Sequence, residues 1–179
     1  MIAFFDHVIL EWFQSIHNDV LTAIFKVITA LGEGGIIWII LGLLLLIRKE
    51  TRWIGITVLL ALIFTLLVGN LTLKPLVARP RPCWRNPEIP LLIANPKDFS
   101  FPSGHAFAAF SAATAIFIAN RWAGMVALAG AFVMSCTRMY FYVHYPTDIL
   151  AGMLLGIVIG IVAHILVARI RKRWEASRS

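Results

Sequence analysis

From residue 53 to residue 73 the chain carries 21 consecutive residues without a charged side chain. As a helix at ~1.5 Å per residue this stretch reaches about 30 Å, the thickness of bilayer hydrocarbon. Further apolar runs precede and follow it, and 60% of the 179 residues are hydrophobic against 14% charged. That leaves too little polar surface to cover a soluble domain of this length. The expected fold class is therefore all-α: a polytopic membrane helical bundle of about six helices, folded as one domain.

The net charge of +7 does not imply nucleic acid. The basic residues sit at the ends of apolar runs, where they act as topology signals or as site residues. Cys83 and Cys136 form no metal or redox spacing and read as a loop thiol and a packed helix residue. The N-terminus carries Asp6 and Glu11 and lacks a basic leader, so no cleavable signal peptide is expected.

Taken in order, residues 2–16 form an amphipathic helix suited to the interface. Ile2, Phe5, Ile9, Trp12, Phe13 and Ile16 lie on one side and Asp6, His7, Glu11 and Gln14 on the other. Residues 21–31 are apolar but rise only about 16 Å. They span with the preceding helix or stop part way, ending at the glycine-rich turn 32–35. Residues 36–47 form another short apolar helix before the charged turn 48–52, and 53–73 is the clearest span. Residues 74–103, with several prolines and charges, read as a long loop across one face. Helices are expected over 106–119, 122–136 and about 147–168, the last with Gly152, Gly156 and Gly160 spaced for close helix packing.

Topology follows from the charges. The 48–52 turn, the 121 turn and the tail after 168 share one side and hold Arg48, Lys49, Arg52, Arg121, Arg169, Arg171, Lys172, Arg173 and Arg178. The positive-inside rule makes that side cytoplasmic. The opposite face then carries Lys74, Arg79, Arg81, Arg85, Lys97 and Arg138. A basic cluster there needs a reason, and an anionic ligand supplies one.

Three polar islands converge on that face: residues 74–82, 101–105 and 137–148. Lys74, Arg81 and Arg138 each stand at or just beyond the end of an apolar helix. Singly, each reads equally well as an interfacial snorkelling residue. Together, three cations suit a phosphate and the added charge of its pentacoordinate transition state. Ser103 can cap the helix that Pro102-Ser103-Gly104-His105 opens. Its first-turn N–H groups can face an anion, and Gly104 clears the approach. His105 is placed to protonate a leaving oxygen. Asp148, four residues after His144, can hold one imidazole nitrogen and leave the other free to attack. In isolation a structural His–Asp pair is the competing, lesser reading.

Lys74-x6-Arg81-Pro82, Pro102-Ser103-Gly104-His105 and Arg138-x5-His144-x3-Asp148 resemble the three signature motifs of the type 2 phosphatidic acid phosphatase superfamily. Those proteins are integral membrane lipid phosphatases related to bacterial acid phosphatases and vanadium haloperoxidases. One position departs: the third motif usually begins Ser-Arg, and here Thr137 keeps only the hydroxyl. The resemblance implies a single membrane-embedded phosphatase domain over 1–179. It comprises an amphipathic helix (1–17), an active-site loop (74–103) and a basic cytoplasmic tail (169–179). It further implies that His144 attacks phosphorus and forms a phosphohistidine, that Asp148 orients and activates it, and that His105 is the general acid and then the base. Lys74, Arg81, Ser103, Gly104 and Arg138 would bind the phosphate oxygens. No metal and no cofactor are implied. The substrate would be a membrane lipid phosphate: undecaprenyl pyrophosphate, phosphatidylglycerol phosphate or phosphatidic acid. The setting would be a bacterial plasma membrane, with the site on the extracytoplasmic face. The competing class is a non-catalytic lipid-phosphate binder or transporter. Such a protein needs the cations but has no use for His144, Asp148 and His105 together.

Overall fold

The computed structural model describes residues 2–177, with side chains described from Phe4 onward; Arg178 of the basic tail and the side chain of Ile2 lie outside the described part. Among the described residues there is no strand. The helices are α1 (Ile2–Ser15), α2 (Asp19–Gly32), α3 (Ile36–Ile47), α4 (Arg52–Thr65), α5 (Lys74–Val77), α6 (Pro82–Arg85), α7 (Gly104–Ala119), α8 (Arg121–Tyr140) and α9 (Pro146–Ala176). Helix α2 runs into α3 and α4 runs into α5, so that, apart from the single turn α6, the described residues form six rods. Four stretches are long and apolar enough to cross a membrane: Asp19–Ile47, Arg52–Arg85, Arg121–Tyr140 and Pro146–Ala176.

The short run at 21–31 reaches membrane length by joining the helix after it. Between α2 and α3 a 3₁₀ turn, Glu33–Gly35, carries Gly34 at φ 57° and Gly35 at φ 74°. That backbone is open to glycine and strained for residues with a Cβ. The rod therefore bends at the glycines, and residues 32–35 form a kink inside one span. At the same point Gly32 lets α2 meet α7. A Cβ there would lie 2.7 Å from the His105 ring.

The rod that starts at Arg52 does not stop at residue 73. Leu66–Leu73 is π-helical, and Lys74 N–H bonds to Gly69 O before α5 begins. Pro75 accounts for the wide turns, since in a regular helix its ring would clash with the carbonyl four residues back. The rod ends at Ala78, in left-handed conformation at φ 48°. The loop expected from residue 74 thus starts about one turn later and contains the short helix α6.

Helix α7 is the central pillar. Its buried residues run from Ala106 to Ile116 on all sides, as expected for a helix enclosed by others. It packs against α9, α8 and α4. On α9, Gly152, Gly156 and Gly160 meet the α7 backbone directly: added Cβ atoms would lie 2.8, 2.8 and 2.7 Å from the carbonyl oxygens of Ser103, Phe107 and Ser111. Small residues every fourth position give this contact in an apolar medium. Gly156→Ala is expected to lower stability by about 1–3 kcal/mol through overpacking, seen as a lower melting temperature in detergent. Gly130, whose added Cβ meets nothing within 4 Å, is the control and should tolerate alanine. An unchanged melt for Gly156→Ala would show that the α7–α9 contact is slack.

The start of α4 and the end of α9 lie together, with Trp53 and Trp174 rings 5.9 Å apart. The three polar islands gather at the other end of the bundle. Exposed Ile40, Leu43, Leu44, Leu154 and Val158 belong to the apolar belt between the two ends. Helix α9 is helical through Ala176, so the basic tail continues the last rod.

Helix α1 differs from its expected orientation in one respect. Phe4, Phe5, Val8 and Trp12 are exposed, whereas Leu10, Phe13 and the carboxylate of Asp6 are buried. Asp6 was expected on the polar side with His7 and Glu11. It turns inward because it has partners there.

Candidate active site

Arg81 is the best-anchored side chain of the polar end. It follows the left-handed break at Ala78, and Pro80 and Pro82 on either side fix its backbone direction. Its guanidinium is 2% exposed. Nε donates to Asp98 O (2.7 Å). Nη1 donates to Val143 O (2.7 Å) and meets His144 Nε2 (3.0 Å). Nη2 donates to Asp98 Oδ1 (2.7 Å) and Phe99 O (3.3 Å). All five donors are used.

The contact with Arg81 fixes the tautomer of His144. Arginine only donates, so Nε2 must carry a lone pair and the imidazole proton sits on Nδ1. Nδ1 faces Asp148 Oδ2 at 3.6 Å, beyond hydrogen-bond length, and has no other partner. The ring is 2% exposed. Burial, then the charges of Arg81, Arg138 and Lys74, hold its pKa well below the usual histidine range. It is therefore neutral near pH 7, with a lone pair at Nε2 inside a cationic site.

Lys74 is buried and forms a short ion pair with Asp98 Oδ2. Asp98 thus bridges Lys74 and Arg81. Burial raises its pKa, but Lys74 and Arg81 overcome this and pull it down to about 2. A loop carboxylate, its side chain 54% exposed, stands between two of the site's cations.

Arg138, near the end of α8, bonds through Nη1 to Thr29 Oγ1 on α2. Its Nε is buried without a partner, an unused donor of the kind that native structures rarely leave. His105 Nε2 lies 3.2 Å from the Thr29 carbonyl. A carbonyl only accepts, so His105 carries its proton on Nε2 and keeps a lone pair on Nδ1. Gly104 borders Lys74: a Cβ there would lie 3.8 Å from Nζ and 3.4 Å from Asn70 Oδ1.

Lys74, Arg81, Gly104, His105, Arg138 and His144 line one cavity of about 960 Å³. Ser103 and Asp148 stand behind that wall. The Ser103 side chain caps α7 by accepting from Ala106 N, and Ser103 N–H bonds to Asp148 O at 3.2 Å. Asp148 Oδ2 accepts from Tyr145 N at 2.9 Å in a capping box at the start of α9. The far side of the cavity is apolar. Ile39, Ile63 and Leu66 line it and are also exposed on the bundle surface, so the cavity opens sideways onto the apolar belt.

Four residues of this region lay outside the sequence-based site: Asp6, Thr29, Arg79 and Asp98. Arg79 Nη1 donates to Asp148 Oδ1 (2.5 Å) and Thr147 Oγ1 (2.8 Å), and Nη2 to Asp6 Oδ2 (2.7 Å). Arg79 sits two residues before Arg81 in the same proline-rich run. Its partner Asp6 is 73 positions away, so no spacing links the two. Thr29 looks like any threonine in an apolar helix.

A family model described as the PAP2 superfamily matches residues 53–172. An undecaprenyl-diphosphatase of Sulfolobus acidocaldarius is 33% identical over 151 residues, covering 82% of this chain and 72% of that protein. A lipid A 4′-phosphatase of Bacteroides thetaiotaomicron is 31% identical over 188 residues, covering 93% of this chain and 80% of that protein. Of the solved structures, Aquifex aeolicus LpxE aligns with a TM-score of 0.70 at 25% identity, over 86% of this chain and 91% of that chain. A PAP2 type phosphatidylglycerolphosphate phosphatase from Bacillus subtilis aligns with a TM-score of 0.75 at 23% identity, over 92% and 85%. The latter likeness speaks for the fold alone.

Proposed function

The chain belongs to the PAP2 superfamily, and from that premise we propose that this multi-pass membrane protein hydrolyses the terminal phosphate of a membrane lipid through a phosphohistidine, without a metal. The observation that carries the reading is the His144 lone pair. Nε2 is held at 3.0 Å from Arg81 in the cavity where Lys74 and Arg138 also converge.

The terminal phosphate takes the place that Asp98 holds between Lys74 and Arg81. The unused Nε of Arg138 and the Gly104 amide, in the first turn of α7, bind further oxygens. His144 Nε2 attacks phosphorus. The P–N bond forms as the bond to the lipid oxygen breaks, and the leaving oxygen takes a proton from Nδ1 of His105, which receives that proton from the phosphate monoanion as it binds and keeps Nε2–H on the Thr29 carbonyl. The positive charge that develops on His144 is stabilised by Asp148. That pair stands at 3.6 Å and tightens as substrate draws the ring, since catalytic hydrogen bonds are often long before substrate binds. A water then attacks phosphorus and gives its proton to His105. The P–N bond breaks, and inorganic phosphate leaves with His144 restored. The cations bind the pentacoordinate state more strongly than the ground state, which is where rate is gained. Ser103 acts from behind the wall by fixing the first turn of α7.

The sideways opening suits a substrate whose tail stays in the bilayer while its head enters the cavity. The charge distribution supports a site on the extracytoplasmic face of the plasma membrane, and the likeness to phosphatases of Bacteroides and Bacillus supports a bacterial setting. The deciding experiment is phosphate release by detergent-purified protein in excess EDTA, from undecaprenyl pyrophosphate, phosphatidylglycerol phosphate and phosphatidic acid. The expected result is EDTA-resistant release from at least one, and the ranking identifies the substrate. Folded protein that binds these lipids and releases phosphate from none of them is a binder or transporter instead.

A further inference from the structure

Behind His144, on the side away from the cavity, lies a second layer of charge that the reaction just described does not use. Arg79 does not line the cavity. It faces the start of α9, and both ends of its guanidinium are committed. Nη1 holds Asp148 Oδ1 at 2.5 Å and Thr147 Oγ1 at 2.8 Å, and Nη2 holds Asp6 Oδ2 at 2.7 Å. The Tyr145 ring covers it, 3.9 Å from centroid to Cζ. Asp6 in turn accepts from the Thr147 backbone N–H at 3.0 Å and its hydroxyl at 2.8 Å. It thereby satisfies one of the free first-turn donors of α9 from another helix.

The arrangement divides the two oxygens of Asp148. Oδ1 goes to Arg79 and Oδ2 is left for Tyr145 N and the His144 side. A carboxylate free to rotate would offer His144 either oxygen or none. Arg79 removes that freedom, and Asp6 removes the freedom of Arg79. The Asp6 side chain is 3% exposed and that of Asp148 is not exposed at all. Two buried carboxylates at one helix end repel each other unless a cation lies between them, and Arg79 is that cation.

We propose that Asp6 and Arg79 are positioning residues for the nucleophile, so that helix α1 completes the active site through the chain Asp6–Arg79–Asp148–His144. The inference rests on the hydrolase reading above. It makes α1 more than an interfacial anchor: its first two turns carry a residue on which the rate depends.

The test is steady-state phosphate release from whichever panel lipid the wild type cleaves fastest. It compares Asp6→Asn, Asp148→Asn and the double variant, each checked for monodispersity and melting temperature. Asp6→Asn is expected to lower kcat about 10- to 100-fold, as loss of a partner that orients a histidine does, with KM changed less than about 3-fold. In the Asp148→Asn background the same change is expected to slow the enzyme by less than about 3-fold, because Asp6 acts through Asp148. A merely structural Asp6 gives the opposite pattern, with kcat per folded molecule intact or the two losses multiplying in full. Either result overturns the proposal. If Asp6→Asn does not fold, Arg79→Lys, which keeps the charge and loses the fork, is read in the same way. A wild type that releases no phosphate defeats the hydrolase reading and this inference with it. A wild type that turns over beside an unimpaired Asp6→Asn defeats this inference alone.

Discussion

His144→Ala is expected to lower kcat by at least about 10⁴-fold, or ~5.4 kcal/mol of transition-state stabilisation, while the protein stays folded and still binds lipid phosphate. The size follows from the role. In the proposed reaction alanine removes the atom that forms the P–N bond, and water attacking directly lacks the fixed approach that His144 Nε2 has beside Arg81. Binding survives because Lys74, Arg81 and Arg138 belong to other elements and keep their contacts, apart from the one Arg81 makes to His144 Nε2. The fold survives because His144 lies in the short connection between α8 and α9 and its Nδ1 makes no hydrogen bond. The stabilising contacts there are those of Asp148 with Tyr145 N and Arg79, which the substitution leaves alone. Rapid quench with a ³²P-labelled lipid adds a second reading. Wild type should show an acid-labile phosphoprotein and His144→Ala none. Retention of more than about one-tenth of wild-type kcat, or labelling of the variant, would remove His144 as nucleophile.

Legibility in the sequence was uneven, for physical reasons. Apolar run length is nearly a direct readout of a membrane helix, because hydrocarbon admits no unpaired backbone. The all-helical bundle was therefore open to reading. So was the gathering of the three polar islands at one end, since each terminates an apolar run. Helix ends were harder. The rod through residue 73 continues past Lys74 because π-turns absorb Pro75, whereas a proline beside charges reads as a stop. The glycines at 32–35 read as a turn between two short helices, yet they make a bend within one span. Side-chain pairing between distant segments was not legible at all. Asp6 on an amphipathic helix looks solvated; what buries it is Arg79 and Thr147, from segments 73 and 141 positions away. Asp98 carries no motif, and its meeting with Lys74 and Arg81 depends on how the loop folds back. Tertiary contact decides such residues, and local patterns do not encode it.

Arg81→Lys is expected to lower kcat/KM about 10³-fold, the second-largest effect, although charge is conserved. Arg81 uses five donors on five acceptors: two on Asp98, one on Phe99, one on Val143 and one on His144. A lysine offers three donors from a single point, so at least two acceptors lose their partner. If it turns to Asp98, nothing fixes the lone pair of His144 Nε2, and the imidazole is free to take the wrong tautomer. If it turns to His144, the loop that brings Asp98 and Phe99 to the site is released. Loss of one preorganised donor at a developing charge is worth about 10²–10³ in rate, and here the tautomer is lost as well. Most of the loss should fall on kcat, because Lys74 and Arg138 still attract the phosphate. Since Val143 O is buried and loses its donor, the melting temperature should fall too. The two roles separate by measurement: an arginine that merely anchors the loop gives a lower melting temperature with kcat nearly intact at low temperature. A variant within about 10-fold of wild type in kcat/KM would mean that any cation suffices at residue 81, and that the His144 lone pair is set by something other than the fork of Arg81.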